Sequence, residues 1–297
     1  MPKRAHSDCA AALPSNRPRS STTSSTGSNK APAHVTGDVV SIGKNDWITF
    51  VRENKLLVDK TDLLLHVMDD SSLDVILHPR RFGKSTFLNM IHNFLNVART
   101  DEELAERKRI FKEMNIHKVD PTFVDKHCGR YPVIYLSLKD VRPVTLNDFR
   151  DSIEQAIATI IKSWFHAISD TSKAELNFTR SRLNRMMNNI HNSINDSVMI
   201  PAELVDYLSE YYNAKCIVLV DEFDAPVISA PEGIREEVKH YMRKLLSPLA
   251  KDNKKVRKFI MVGIDPVNLN TSGSGMNNCK RHPLHEDSDS SKEDALS

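Results

Sequence analysis

Four short runs of near-continuous apolar and largely β-branched residues constrain this chain more than any other feature. They lie at 74–78 (DVILH), 131–138 (YPVIYLSL), 215–223 (KCIVLVDEF) and 257–264 (RKFIMVGI). Runs without polar alternation belong to strands buried on both faces, as in parallel sheets covered by helices. The segments between them carry helical spacing. Residues 85–97, 101–114, 146–168 and 201–212 place apolar residues three and four apart, and 234–250 does so with basic residues on its other face. Strand and helix alternating over about two hundred residues predict a doubly wound α/β fold, a mostly parallel sheet with helices on both faces.

The first run ends in HPRRFGKST, residues 78–86. A Walker A loop reads G-x-x-x-x-G-K-[ST], and its second half is present as Gly83, Lys84, Ser85 and Thr86, after an expected strand and opening an expected helix. Gly83 lets the backbone approach a phosphate, and successive amides from Arg81 and Phe82 into the helix N-terminus point at its oxygens. Lys84 would bridge the β- and γ-phosphates, and the Ser85 hydroxyl would ligate Mg²⁺. A lysine about 4 Å from a phosphate charge is worth roughly 4 kcal/mol at an effective dielectric of about 20. The first glycine of the loop is replaced by His78, followed by Pro79. Proline biases His78 to an extended backbone and supplies no amide, so phosphate donors start at Arg80 or later. His78 reads as a strand-end residue. Arg80 and Arg81 either contact phosphate or a neighbouring carboxylate, or stand solvated at the turn.

G-K-[ST] alone is weak evidence. The third run adds an independent element, four apolar residues at 217–220 followed by Asp221 and Glu222, the Walker B form. With this strand end adjacent to the loop, Asp221 would hold the Mg²⁺ shell and Glu222 would orient and deprotonate an attacking water. Asp224 either supports the metal's waters or caps the next segment. Asp59, Lys60 and Thr61 either lie near the nucleotide or cap a helix that starts near Thr61.

Composition narrows the remaining classes. Of 297 residues, 40% are hydrophobic, enough for a sizeable core. Forty-one Lys+Arg against thirty-nine Asp+Glu give no electrostatic case for a nucleic-acid or membrane partner. Aromatic residues are 6% and interleave with no basic patch, so no single-strand platform is visible. Cys9, Cys128, Cys216 and Cys279 form no C-x-x-C pair, and the twelve histidines form no H-E-x-x-H. Reduced thiols, no apolar run of spanning length and no secretory leader predict a soluble, intracellular protein, with cytoplasm and nucleus unresolved. Residues 1–37 are Ser/Thr/Pro-rich with scattered basic residues, and 269–297 are polar without a period. Both are expected to be disordered, flanking one domain at 38–268.

Taken together and in this order, LLVDKTDLL, HPRRFGKSTFLNMI, YPVIYLSLKDV, IVLVDEFDAPV and SGSGMNN resemble the AAA-ATPase-like family of P-loop NTPases, over about residues 46–279. The resemblance implies an ATP-binding domain of RecA/AAA-like topology and a Mg-dependent ATPase. It implies Lys84 and Glu222 in catalysis, residues 81–86 at the nucleotide, and Ser85 and Asp221 at the metal. In bacterial relatives this domain often precedes a restriction-type nuclease domain, for which the residues after Asn278 offer no material. The family usually has arginine where His78 stands, and a threonine that senses the γ-phosphate where Val262 stands before Gly263. Valine cannot hydrogen-bond phosphate or water, which threatens hydrolysis more than binding. A helical lid should follow the SGSGMNN segment, but HEDSDSSKEDALS has no helical period, as in a shortened member or a gene model that stops early. The competing expectation is therefore a catalytically decayed nucleotide-binding or interaction module whose tails meet an unknown protein partner. A nucleic-acid enzyme subunit rests only on the fusions of relatives. Self-association would follow if a neighbour's arginine completed the site, but none can be assigned.

Overall fold

The four apolar runs become four parallel strands of one sheet. The computed structural model describes residues 47–52, 58–68, 73–168, 173–250, 253–265 and 280–281. All fall within one unit, Val39–Ser297. The expected tail 1–37 and nearly all of 269–297 lie outside the described residues.

In chain order the first elements are α1 (Trp47–Arg52), a 3-10 turn (Thr61–Leu63), α2 (Leu64–Val67), β1 (Leu73–Leu77) and α3 (Lys84–Leu95). Next come α4 (Asp101–Lys112), α5 (Asn115–Val119), α6 (Phe123–His127), β2 (Val133–Ser137) and α7 (Leu146–Ile168). Then follow α8 (Lys173–Asn189), α9 (Ile194–Tyr212), β3 (Cys216–Asp221), α10 (Ala225–Ser229), α11 (Arg235–Ala250), β4 (Val256–Gly263) and the two-residue β5 (Lys280–Arg281). The strand order is β2-β3-β4-β1-β5, and every pair is parallel. The α/β expectation holds, with one correction to the neighbours. β3, expected beside the strand that carries the loop, is separated from β1 by β4.

The period of two in the strands splits the core. Val75, Leu136, Val218, Val220, Phe259 and Met261 face one side, against α7, α9 and α11. Ile76, Ile217, Leu219, Ile260 and Val262 face the other, against α3 and α4. α3 buries Leu88, Ile91 and Leu95 at helical spacing on that second face. Asp74 and Lys258 also lie there, as a buried ion pair between β1 and β4 with Nζ–Oδ2 of 2.7 Å.

Two helices differ from the sequence reading. α9 begins at Ile194, not near Pro201, because Ser193 caps it by accepting the Asp196 amide and because Ser197, Val198 and Ile200 are buried. One proline inside a helix removes a single donor, and burial on both sides of Pro201 carries the helix through. α8 was not expected, since in the part of it whose side chains are described the buried apolar residues are as sparse as Leu183 and Met186.

Candidate functional site

The site is built at the carboxyl ends of β1, β3 and β4. After Leu77 the chain turns through residues 78–83 into α3 with two residues in the left-handed region, Arg81 (φ 69°) and Gly83 (φ 78°). Glycine adopts that conformation at little cost, whereas arginine does not. A Cβ on Gly83 would meet nothing within 4 Å, so it is backbone conformation that calls for glycine there, and the space before it is open. His78 behaves as a strand-end residue. Its amide donates to the Gly263 carbonyl at 3.1 Å, and its ring stacks on Phe82 at 5.9 Å between centroids. Arg80 to Gly83 are exposed, and Ser85 and Thr86 are half-buried in the first turn of α3.

Lys84 is buried and folds back on its own loop, donating from Nζ to the carbonyls of His78 (2.6 Å) and Pro79 (2.7 Å). Burial pushes its ammonium below the usual lysine range, against the opposing fields of Asp221, Asp224 and Glu222, while Arg80 adds to the lowering. The structure therefore brings the lysine of one motif into the field of the acids of the other.

Asp221 ends β3 and is 3% exposed. Its Oδ2 accepts the Tyr135 hydroxyl at 3.0 Å, and its Oδ1 is buried with no hydrogen-bond partner among the described residues. Desolvation first, and then the Asp221 charge, push the Tyr135 phenol above the usual tyrosine range, so it stays a donor. Glu222 sits in the left-handed region (φ 50°), and its Oε2 is 3.2 Å from Nη2 of Arg142, in the loop after β2. Asp224 stands at the N-cap of α10, but its side chain makes no capping hydrogen bond there. Its Oδ2 accepts the amides of Ile264 (2.7 Å) and Asp265 (2.8 Å), so it ties the end of β4 to the end of β3. That approach explains Gly263, where a Cβ would lie 2.7 Å from Phe223 Cε1 and 2.8 Å from Asp224 Oδ1.

Val262 pairs in register with Asp221 and Ile76 and is fully buried, so β4 offers no polar side chain beside the acid. The Asp59 segment is a clamp on α5. Asp59 accepts from the Thr61 amide and hydroxyl and from the Asn115 amide, and Thr61 Oγ1 accepts the Ile116 amide. These bonds serve α5 and not the expected cap of a helix starting near Thr61, since the 3-10 turn at Thr61–Leu63 has Lys60 as its N-cap residue with no side-chain capping hydrogen bond.

Tyr135 and Arg142 are the two site residues that sequence reasoning missed. Each reaches its acid across the sheet, from 86 and 80 positions away. Only the strand pairing of β2 with β3 could have pointed to them. A cavity of about 470 Å³ lies beyond edge strand β2, among His92, Asn96, Arg107, Trp164 and Tyr212, and shares only Tyr135 with the site. Among the described residues no group of three or more His, Cys, Asp or Glu could hold a metal by itself. A cation here would have to be held jointly with substrate oxygens, and the orphaned, buried Oδ1 of Asp221 is a fitting ligand for one. Among the described residues no helix is long and apolar enough to cross a membrane.

A family model described as AAA-ATPase-like, predicted AAA-ATPase, matches residues 41–271. A protein of Azotobacter chroococcum mcd 1, described as an uncharacterized protein in the vnfD 5' region, is 24% identical over 226 residues. The match covers 74% of this chain and 36% of that relative, so the chain spans about a third of the relative's length. No solved structure matches the chain significantly.

Proposed function

The chain belongs to the AAA-ATPase-like family, and from that premise we propose that it binds Mg-ATP at the end of β1 and hydrolyses it. One observation carries the reading. Lys84, on the loop, lies in the field of Asp221 and Glu222, and Asp221 holds a buried carboxylate oxygen with no hydrogen-bond partner among the described residues. A buried carboxylate left half-satisfied costs roughly 1–3 kcal/mol, a cost that a bound cation would remove.

The phosphates would be received by the amides of residues 81–86 and by the N-terminal end of α3. Lys84 would exchange two neutral carbonyls, His78 and Pro79, for charged phosphate oxygens, a stronger class of hydrogen bond. Ser85 and Asp221 would hold Mg²⁺, which when bound neutralises charge on the phosphate oxygens. Glu222 would act as base once its carboxylate leaves Arg142.

A second reading has its own observation. Val262 is locked in the core beside Asp221, so the γ-phosphate has no polar contact from β4. A protein that binds nucleotide without turning it over fits that feature equally well.

The test is a titration of the folded protein with a fluorescent ATP analogue, with and without Mg²⁺, beside Lys84→Ala. Saturable, Mg-dependent binding is expected, weakened at least about 100-fold by Lys84→Ala, given the roughly 4 kcal/mol that such a charge pair is worth. If a sample that is folded by circular dichroism binds nothing, the nucleotide reading is wrong. If binding holds but single-turnover hydrolysis is absent and Glu222→Gln changes nothing, the binding-only reading stands.

A further inference from the structure

The two oxygens of the Asp221 carboxylate are held differently, and the cause lies on the neighbouring strand. Tyr135 pairs in register with Leu219, so Asp221 is two residues further along β3 on the same face. Diagonal neighbours on a sheet face are about 7–8 Å apart, a gap that a tyrosine bridges and a shorter side chain does not. The hydroxyl reaches Oδ2 at 3.0 Å, and Oδ1 has no hydrogen-bond partner among the described residues. The phenol is itself held in place. His92 packs edge-on against its ring, with centroids 6.0 Å apart and planes at 81°. His92 lies eight residues after Lys84, about two helical turns, so the helix that begins at Lys84 also braces Tyr135.

Resting on the Mg-nucleotide reading above, we propose that Tyr135 is a positioning residue that sets cation specificity. By occupying Oδ2 it makes Asp221 a one-oxygen ligand. A small hard cation such as Mg²⁺ takes near-octahedral coordination with single carboxylate oxygens, whereas the larger Ca²⁺ readily takes both oxygens of one carboxylate. With Oδ2 engaged, bidentate coordination is blocked and the acid favours the smaller ion.

The experiment is Tyr135→Phe in the full chain, which keeps the ring and removes one oxygen. Binding of the fluorescent ATP analogue is titrated against Mg²⁺ and, separately, Ca²⁺, with a metal-free arm and a thermal melt as controls. For Tyr135→Phe the Mg²⁺ needed for half-maximal binding should rise about tenfold or more, the usual effect of losing a group that orients a metal ligand. The Ca²⁺ requirement should stay level or fall, while metal-free affinity changes little and the melt falls by no more than the loss of one hydrogen bond to a buried carboxylate accounts for. In an Asp221→Asn background the same substitution should add no further change, because Tyr135 acts through that carboxylate. An unchanged ratio of the Mg²⁺ and Ca²⁺ requirements would overturn the assignment and leave the nucleotide reading intact. An equal loss in the metal-free arm, or an additive loss in the Asp221→Asn background, would overturn it in favour of a packing role. If the wild-type protein shows no metal-dependent nucleotide binding, the functional reading fails and the assignment falls with it.

Discussion

At the scale of single residues, the acids are held by contacts of very different strength. The Arg142–Glu222 pair is partly exposed on both sides, and exposed ion pairs contribute about 0–1 kcal/mol. Arg142→Ala should therefore leave the denaturation midpoint nearly unchanged. On the proposed role of Glu222 as base, it should raise single-turnover hydrolysis, because that carboxylate no longer has to leave a cation before it can accept a proton. A fall in turnover at unchanged stability would mean that Arg142 serves the substrate and does not restrain the base. Gly263 makes the opposite case, since a methyl there would press on Phe223 and on the carboxylate that clamps Ile264 and Asp265. Gly263→Ala should cost about 1–3 kcal/mol in urea denaturation, as overpacking does elsewhere. Lys84, Ser85, Asp221 and Glu222 were legible because loop and acid motifs are local patterns. Tyr135, Arg142 and the amide clamp of Asp224 were not, because each depends on which strands become neighbours.

At the scale of elements, legibility followed the length of the apolar period. α7, with more than six turns' worth of spacing, was read to its boundaries at Leu146 and Ile168, and the four strands within about two residues at each end. α5 and α6, at five residues each, are shorter than any period can reveal. The joint between α7 and α9 depends on a buried acid that no period could show. Glu154 accepts from Arg150 Nε at 2.7 Å, lies 2.8 Å from His191 Nδ1, and faces the Ser197 hydroxyl at 3.4 Å. Desolvation alone would raise its pKa, but the hydrogen bonds from Arg150 and His191 outweigh it and hold the carboxyl below the usual glutamate range. A carboxyl depressed in the folded state adds stability above its unfolded pKa of about 4.3, and that stability is lost as pH falls through the lower folded value. Glu154→Gln should thus cost about 1–3 kcal/mol at pH 7. The gap from wild type should narrow only below about pH 4, as read from urea midpoints across pH.

At the scale of the whole molecule, strand order decides what the site rests on. Runs 186 residues apart, as Leu73 and Phe259 are, pair as β1 and β4, and nothing in either run names the other as its neighbour. With β4 between β1 and β3, both halves of the site are referenced to one strand end. His78 donates to the Gly263 carbonyl from one side, and Phe223 donates to the Val262 carbonyl from the other. The same two strands are joined near their opposite end by Lys258 and Asp74, 1% and 3% exposed. Breaking a buried pair from one side commonly costs about 3–5 kcal/mol, while replacing both partners with apolar residues is often neutral. Lys258→Met should lower stability by that amount, and adding Asp74→Leu should recover most of it. Asp74 precedes His78, where the loop begins, by four residues, and strands rise about 3.3 Å per residue, so the pair lies about 13 Å from the loop. The single variant should therefore keep its nucleotide affinity at temperatures where it is folded. Lost affinity in a variant that melts like the wild type would show instead that the pair shapes the loop by setting how β1 lies against β4.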